Sequence, residues 1–347
     1  MKIARAFFSG LLVAGFLAAW APQDTGSIDR LVPAINELIA PNANVERVVH
    51  ESDFTWTEGP VWTRAGYLLF AEIPSNSIRK WVPGGAVTIL LQPSGYKGNT
   101  PFGGKESGSN GMTLDRQGRL TVAGHAQRDV YRLESLNGNA QITVLADSYE
   151  GKRLNSPNDL VYRRDGSLYF TDPPYGLPTQ SDQDPRKQLR FNGVFRLRGA
   201  ANIPAGTAPE HNKLEALVKD LPRPNGIAFS PDERTLYVSN SAPKKFWEKY
   251  PVNPDGSLGT GSVFYDASSD NSPGAPDGMK IDRKGNIYSA GPGGLWIFSP
   301  DGKHLGTIHL PETVSNAAWG GADGKTLYIT ATSSVYRVQT VVGGVKP

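Results

Sequence analysis

The chain has 347 residues, of which 36 are basic and 33 acidic, giving a formal net charge of +3. It contains no cysteine, which excludes disulfide bonds and catalysis by a thiolate. The basic residues form no cluster that could follow a phosphate backbone, so the sequence argues against a nucleic-acid partner. The 39 glycines and 27 prolines predict an all-β protein made of many short strands and turns.

The first 21 residues have the composition of a secretory signal peptide. Lys2 and Arg5 precede an apolar run from Ala6 to Ala19, and Ala19-Trp20-Ala21 resembles a cleavage site. The alternative is an uncleaved membrane anchor, but the run is shorter than a membrane span requires. We therefore expect residues 1–21 to be removed and the mature protein to be periplasmic or secreted, without a membrane attachment.

Residues 22–43 form a predicted N-terminal extension with one short helix. Between Ser27 and Ala40, apolar residues recur at helical spacing. They are Leu31, Val32, Ile35, Leu38 and Ile39. Asp24 or Ser27 would cap such a helix, which we expect to pack on the outside of the following domain.

Residues 44–340 contain a repeat of six units, and residues 341–347 follow as a C-terminal tail. Each unit begins with an acidic residue or an asparagine just ahead of a short strand, after which come a polar turn and a second apolar strand. We call these six the ring residues: Glu58, Asn110, Asn158, Asn225, Asp277 and Asn316. Their spacing of about 40 to 70 residues predicts a six-bladed β-propeller. The segment Val45–His50 is left over at the front and is predicted to be the fourth strand of the last blade, closing the ring.

The first strand of each propeller blade lines the central channel, so the ring residues should converge on one mouth. Four of them, Glu58, Asn158, Asn225 and Asp277, offer two carboxylates and two amide oxygens. That set suits one divalent cation, with Ca²⁺ favoured and Mg²⁺, Mn²⁺ or Zn²⁺ as alternatives. For each residue taken alone the alternative is a turn, because Asn-Gly and Asp-Gly pairs are common in turns. The shared register favours a site.

Further polar residues are predicted near this mouth as substrate contacts. Asn110 begins the second blade, His125 lies one hairpin later, and Tyr175 follows the second strand of the third blade; we expect these three and Asn158 to bind substrate. Two long polar connections, residues 92–109 and 178–192, are expected on the same rim or as plain surface loops. Asp159 should point to the other side of its strand and bond the backbone.

The motifs E-G-P-V-W, P-N-D-L, L-Y-F-T-D-P-P-Y-G, P-N-G-I-A-F-S-P-D and P-D-G-M-K-I-D occur in this order along the chain. From Phe54 to Val338 the sequence therefore resembles the senescence marker protein, gluconolactonase and luciferin-regenerating enzyme family of six-bladed propellers. The resemblance implies a divalent metal bound by Glu58, Asn225 and Asp277, with Asn158 completing or adjoining the site. It also implies hydrolysis of a sugar lactone such as glucono-1,5-lactone to an aldonic acid, with Asp277 as the base or water-positioning group.

Two other functions stay open from the sequence. A related metal-dependent hydrolase could act on phosphotriesters or hydrophobic lactones at the same ring, and a secreted propeller could bind a sugar without turning it over. Other catalytic arrangements fit less well, because no nucleophile-elbow sequence is present and a glycosidase pair would leave the asparagines without a role.

Overall fold

The computed structural model describes residues 23–24, 26–138, 140–209 and 211–345, and six antiparallel sheets account for most of them. The innermost strand of each sheet packs against the innermost strand of the next, and the sixth returns to the first. This closed ring of sheets is a six-bladed β-propeller, so the predicted all-β fold is confirmed. The predicted signal peptide, residues 1–21, lies outside the described residues.

Each blade has four or five strands, ordered from the channel outward. Blade 1 consists of Thr57–Trp62, Leu68–Glu72, Ser77–Trp81 and Val87–Leu91. Blade 2 consists of Met112–Leu114, Leu120–Gly124, Asp129–Leu133 and Ile142–Ala146. Blade 3 consists of Leu160–Tyr162, Leu168–Asp172, Gly193–Leu197 and Leu214–Val218. Blade 4 consists of Pro224–Phe229, Thr235–Asn240, Phe246–Pro251 and Ser262–Asp266. Blade 5 consists of Met279–Ile281, Ile287–Gly291, Gly294–Phe298, His304–His309 and Ser27–Arg30. Blade 6 consists of Val314–Gly320, Thr326–Ala331, Ser334–Gln339, Val45–His50 and Gln23–Asp24.

A few short elements lie outside the blades. They are a hairpin of Ser148–Tyr149 with Lys152–Arg153 and the 3-10 helices Pro33–Glu37, His125–Gln127, Ala200–Asn202 and His211–Lys213. None of the helices in the described part of the chain is long and apolar enough to cross a membrane.

The N-terminal segment adds strands to two blades. Val45–His50 pairs antiparallel with Ser334–Gln339 in blade 6, where Val335 lies opposite Val49. Ser27–Arg30 pairs antiparallel with His304–His309 on the outside of blade 5. Both added strands cover backbone groups that an outer strand would otherwise leave unpaired.

The helix predicted between Ser27 and Ala40 is wrong over most of that length. Ser27–Arg30 is a strand, and only Pro33–Glu37 is helical, as a 3-10 helix without a side-chain cap. A proline disfavours helical backbone in the residue before it, and Val32 accordingly is extended, with φ −140° and ψ 148°. The periodic apolar residues instead pack against blades 5 and 6, where Ile35, Leu38 and Ile39 are buried.

The hydrophobic core lies between neighbouring blades. Trp62 of blade 1 stacks on Tyr328 of blade 6 with ring centroids 5.1 Å apart. Trp247 of blade 4 meets Phe298 of blade 5 edge to face at 4.9 Å. Burying one large apolar side chain stabilises the fold by about 1.5–3 kcal/mol. Contacts of this kind set the angle between blades and therefore the position of every inner strand around the channel.

Candidate active site

Every ring residue lies within two residues of the start of an inner strand, so all six are located at the same end of the channel, which we call the mouth. Glycine follows four of them, and each glycine is a point where two inner strands touch. A Cβ on Gly59 or Gly226 would overlap the backbone carbonyl of the next ring residue, and one on Gly278 would overlap the Asn316 side chain. A Cβ on Gly111 would lie 2.5 Å from the Asn158 carbonyl oxygen. These glycines therefore permit close approach of the strands, and they are not simple turn formers.

Buried hydroxyl groups tie neighbouring blades together at the same level. The Thr171 hydroxyl of blade 3 donates to the backbone carbonyl of Asn225 at 2.6 Å. The Ser239 hydroxyl of blade 4 donates to the backbone carbonyl of Asp277 at 2.9 Å. Each hydroxyl thus holds the ring residue of the following blade, which makes the arrangement of the mouth a property of the whole ring.

Several side-chain oxygens at the mouth are buried and accept no hydrogen bond. They are Asn110 Oδ1, Asn225 Oδ1 and Asp159 Oδ2, in residues that are at most 5% exposed. A buried polar group without a partner costs about 1–3 kcal/mol. Oxygens in this state suit a cation or a hydroxyl-bearing ligand. Among the predicted metal ligands Asn225 has such an oxygen, and this fits the divalent metal that the sequence predicts.

The carboxyl group of Glu58 is buried beneath the mouth. Its Oε2 accepts hydrogen bonds from the backbone N–H of Gly59 and from Nδ2 of Asn316, the latter at 3.0 Å. Burial, followed by the negative charge of Asp159, raises the pKa of Glu58 to about 7. The nearby ammonium of Lys280 acts in the opposite direction.

Asp277 is half-buried. Burial raises its pKa well above the ordinary value, and the charges of Glu58, Asp159 and Glu106 raise it further. A side-chain hydrogen bond from Asn225 partly offsets these effects. Within the described residues no three His, Asp or Glu side chains lie close enough together to hold a metal ion. A metal here would therefore also need amide oxygens.

Lys280 and Asn316 brace the acidic residues from the channel side. Lys280 Nζ donates to Asn316 Oδ1 at 3.1 Å and lies 3.8 Å from Asp159 Oδ2. Because Asn316 Oδ1 accepts the bond from Lys280, the amide is oriented with its Nδ2 toward Glu58. The sequence did not predict that Lys280 and Asn316 contact the acidic residues. The available signal was a lysine within a strand that lines the channel, which is an unusual position for a charged side chain.

Asp159 bonds the backbone, as expected from the sequence, and it also belongs to the same acidic cluster. Its Oδ1 does accept the Leu160 N–H at 2.9 Å, but its charge raises the pKa of both Glu58 and Asp277. The alternation of side chains applies within a regular strand, and this strand begins only at Leu160. Asn158 and Asp159 precede it, so their directions are set by the preceding segment.

His125 is fully buried, and both of its ring nitrogens are occupied. Nδ1 lies 3.1 Å from the Pro157 carbonyl oxygen, and Nε2 lies 2.9 Å from Glu106 Oε2. The ring also packs against Gly176, where a Cβ would approach its Cδ2 to 2.6 Å. In this structure His125 reaches the mouth only through Glu106, a residue that the sequence pattern did not single out.

Tyr175 lies on the rim. It is half-buried, and its hydroxyl is 2.6 Å from the Ser241 hydroxyl. Burial raises its pKa, the hydrogen bond with Ser241 lowers it, and the charge of Asp277 raises it again. This electrostatic effect indicates that Tyr175 and Asp277 share one region of the mouth.

The two long connections contact each other. Gln180, from the connection after the second strand of blade 3, donates through Nε2 to Glu106 Oε1 at 2.7 Å.

Asp172 holds the segment that leads into blade 3, because its carboxylate accepts the Asn155 and Ser156 N–H groups at 2.7 Å each. Burial raises the pKa of Asp172 to about 7.

A separate cavity of about 220 Å³ lies at the opposite end of the channel. Trp62, Tyr162, Phe229 and Trp319 contribute to its lining, and Lys280 reaches it from the acidic cluster. The lining is mostly apolar and contains none of the six ring residues.

Comparison with known proteins gives a consistent result. The model of the SMP-30/gluconolactonase/LRE-like region matches residues 56–333. The gluconolactonase of Zymomonas mobilis is 39% identical over 329 residues, which cover 92% of this chain and 87% of that protein. The solved structure of a gluconolactonase from Xanthomonas campestris has a TM-score of 0.74 at 30% identity and covers 92% of this chain and 96% of its own.

A more distant likeness concerns the fold alone. The solved structure of regucalcin from Agrobacterium tumefaciens, a calcium-binding protein, has a TM-score of 0.64 at 18% identity. It covers 87% of this chain and 96% of its own.

Proposed function

The chain belongs to the SMP-30/gluconolactonase/LRE-like family, and on that basis we propose that it hydrolyses sugar lactones of the glucono-1,5-lactone type to aldonic acids with the help of one divalent metal ion. The observation that carries this proposal is the mouth itself. Two carboxyl groups with raised pKa values, Glu58 and Asp277, lie there among buried oxygens that have no hydrogen-bond partner.

Glu58, Asn158, Asn225 and Asp277 would hold the metal. All donate oxygen, a set that suits Ca²⁺, Mg²⁺ or Mn²⁺, and we expect Ca²⁺. When bound, such an ion polarises the lactone carbonyl and stabilises the negative charge that develops on its oxygen. Asn316 and the Gly59 N–H keep the Glu58 carboxyl in place for this role.

Asp277 is the proposed base. A carboxylate can accept a proton from water, and the partial exposure of Asp277 lets water reach it. Attack by water on the carbonyl carbon transfers a proton to Asp277. The bond between that carbon and the ring oxygen then breaks, and the ring oxygen takes the proton back, which leaves the hydroxy acid and restores Asp277.

Asn110, Asn158 and Tyr175 would orient the hydroxyl groups of the sugar. Asn110 Oδ1 is free to accept a hydrogen bond, and the Tyr175 hydroxyl lies on the rim beside Ser241. His125 would contribute indirectly, by holding Glu106. Holding the substrate in one orientation is worth several kcal/mol in reactions of this kind.

The proposal is tested by following acid release from glucono-1,5-lactone in a pH-stat, with spontaneous opening subtracted. We expect the metal-loaded wild type to accelerate opening, chelated protein to lose that activity, and Asp277→Asn to lose at least about 100-fold. Asp232→Asn, in an exposed turn, is the matched control.

Other outcomes point to other functions. Full activity in Asp277→Asn with its metal retained would refute the proposed base, and activity after complete chelation would refute the metal. A protein that binds gluconate but never exceeds the spontaneous rate would be a sugar-binding propeller. Activity confined to aliphatic lactones or phosphotriesters would reassign the substrate.

A further inference from the structure

Glu106 lies on the irregular connection between blades 1 and 2 and takes no direct part in the proposed hydrolysis. Its carboxylate contacts His125 on one oxygen and Gln180 on the other. Its side chain is nevertheless 22% exposed. Its charge raises the pKa of both Asp277 and Tyr175, so it lies close to the proposed catalytic group and to the rim.

Both oxygens of Glu106 are held in fixed positions. His125 Nδ1 faces a carbonyl oxygen, which only accepts, so this nitrogen must carry a proton and donate it. Nε2 then either donates to Glu106 as part of a charged imidazolium or accepts a proton from Glu106. In both states one proton lies between His125 and Glu106, and Gln180 Nε2 donates to the other oxygen.

The carboxylate still has hydrogen-bonding capacity left. A carboxylate offers about four acceptor positions, and His125 and Gln180 use two. His125 links Glu106 to the carbonyl of Pro157, the residue before the ring residue Asn158, and Oδ1 of the ring residue Asn110 also lacks a partner. Both groups are acceptors, so the ligand they suit is one that donates several hydrogen bonds.

We propose that Glu106 is a specificity-determining residue whose carboxylate accepts hydrogen bonds from the ring hydroxyls of a polyhydroxylated lactone. This inference rests on the proposed function. His125 and Gln180 are positioning residues in it, because they act on the substrate only by fixing Glu106. Selection then arises as in any site built to bind hydroxyl groups: a substrate without them leaves the acceptors unpaired.

The effect should appear as a change in selectivity. Hydrogen bonds to a charged group contribute enough to change binding by about 10- to 100-fold. Glucono-1,5-lactone presents the hydroxyls, whereas δ-valerolactone has the same ring size and none. The ratio of their kcat/KM values isolates the contribution of Glu106 from the chemistry common to both lactones.

The experiment compares this ratio in wild type, Glu106→Gln, Glu106→Ala and His125→Leu. Glu150→Gln, on an exposed turn, is the matched control. We expect the ratio to fall about 10- to 100-fold in the Glu106 variants and to keep its wild-type value in the control. His125→Leu should also lower the ratio in wild type but have no further effect in Glu106→Ala, because its action passes through Glu106. Thermal unfolding confirms that each variant is folded.

An unchanged ratio, with both lactones slowed equally, would overturn the inference. So would a further loss from His125→Leu in the Glu106→Ala background. Calorimetric titration with D-gluconate separates this question from the reaction. If wild type opens no lactone yet binds gluconate, and Glu106→Ala weakens that binding, then hydroxyl recognition stands while the proposed hydrolysis fails. Equal gluconate affinity in both proteins would overturn it.

Discussion

Replacing Gly226 by alanine should displace the proposed base without changing any polar side chain. Gly226 lies on the inner strand of blade 4, directly beside the backbone of Asp277 on blade 5. A Cβ at this position would lie 2.9 Å from Gly278 Cα and 3.0 Å from the Asp277 carbonyl carbon, and nearer still to the carbonyl oxygen. All three atoms belong to backbone, so no flexible side chain can move aside.

The size of the effect follows from these distances. Carbon atoms in contact are normally about 3.5–4.0 Å apart, so the two inner strands must separate by roughly 0.5–1 Å. Overpacking of this kind costs about 1–3 kcal/mol in the free energy of unfolding. A shift of about 1 Å at a catalytic group can lower the rate on the order of 100-fold. The loss of activity should therefore exceed what partial unfolding could explain.

The assay measures kcat/KM for glucono-1,5-lactone together with the free energy of unfolding in urea. Gly259→Ala in the same blade is the matched control, because its Cβ would meet only Pro251 side-chain atoms at 3.4–3.7 Å. We expect Gly226→Ala to lose about 30- to 100-fold in kcat/KM and the control to match wild type. A Gly226→Ala protein with activity within threefold of wild type would refute the argument that strand contact positions Asp277.

Three further predictions concern stability and its dependence on pH. Burial raises the pKa of Asp129 from 3.8 to about 7, so this carboxyl holds its proton more tightly in the folded state, and its contribution to stability falls as pH rises from about 4 to 7. Asp129→Asn should therefore be as stable as wild type at pH 4 and more stable by on the order of 2–4 kcal/mol at pH 8. The free energy of unfolding in urea, with metal chelated, measures both differences. An equal difference at both pH values would contradict this. Thr171→Val removes the hydroxyl that donates to the Asn225 carbonyl, so the free energy of unfolding should fall by about 1–2 kcal/mol in the same assay. An unchanged free energy of unfolding would show that this bond between blades does not contribute to stability. Asn316→Leu removes one hydrogen-bond partner from Glu58 and one from Lys280, so we expect a loss of about 1–3 kcal/mol in the free energy of unfolding. A variant as stable as wild type would argue against this role of Asn316.

The propeller was predictable because its signal is local and repeated. Each unit carries its own acidic or amide residue, turn and apolar strand, and six copies outweigh the ambiguity of any one. The N-terminal helix failed for the opposite reason. Ser27–Arg30 has no repeat to identify it, and it becomes a strand because blade 5 offers an unpaired edge.

The site could be predicted only where it follows the repeat. Glu58 and Asp277 are proposed as site residues because of their shared register in the repeat. Glu106 was missed because it lies on an irregular connection, and its contact with His125 exists only once two loops fold together. The sequence placed His125 near the mouth, but its burial depends on packing against Gly176. Asn316 looked like a simple blade start until the structure showed its bond to Glu58.

The most direct test is a crystal structure of the protein grown with Mn²⁺ and D-gluconate, with the metal located by anomalous scattering. We expect one metal peak bound by Glu58, Asn158, Asn225 and Asp277 at about 2.0–2.6 Å. The gluconate carboxylate should face that metal, and its hydroxyls should face Glu106 and Asn110. A metal bound elsewhere, or gluconate in the apolar cavity at the other end of the channel, would contradict the proposed site.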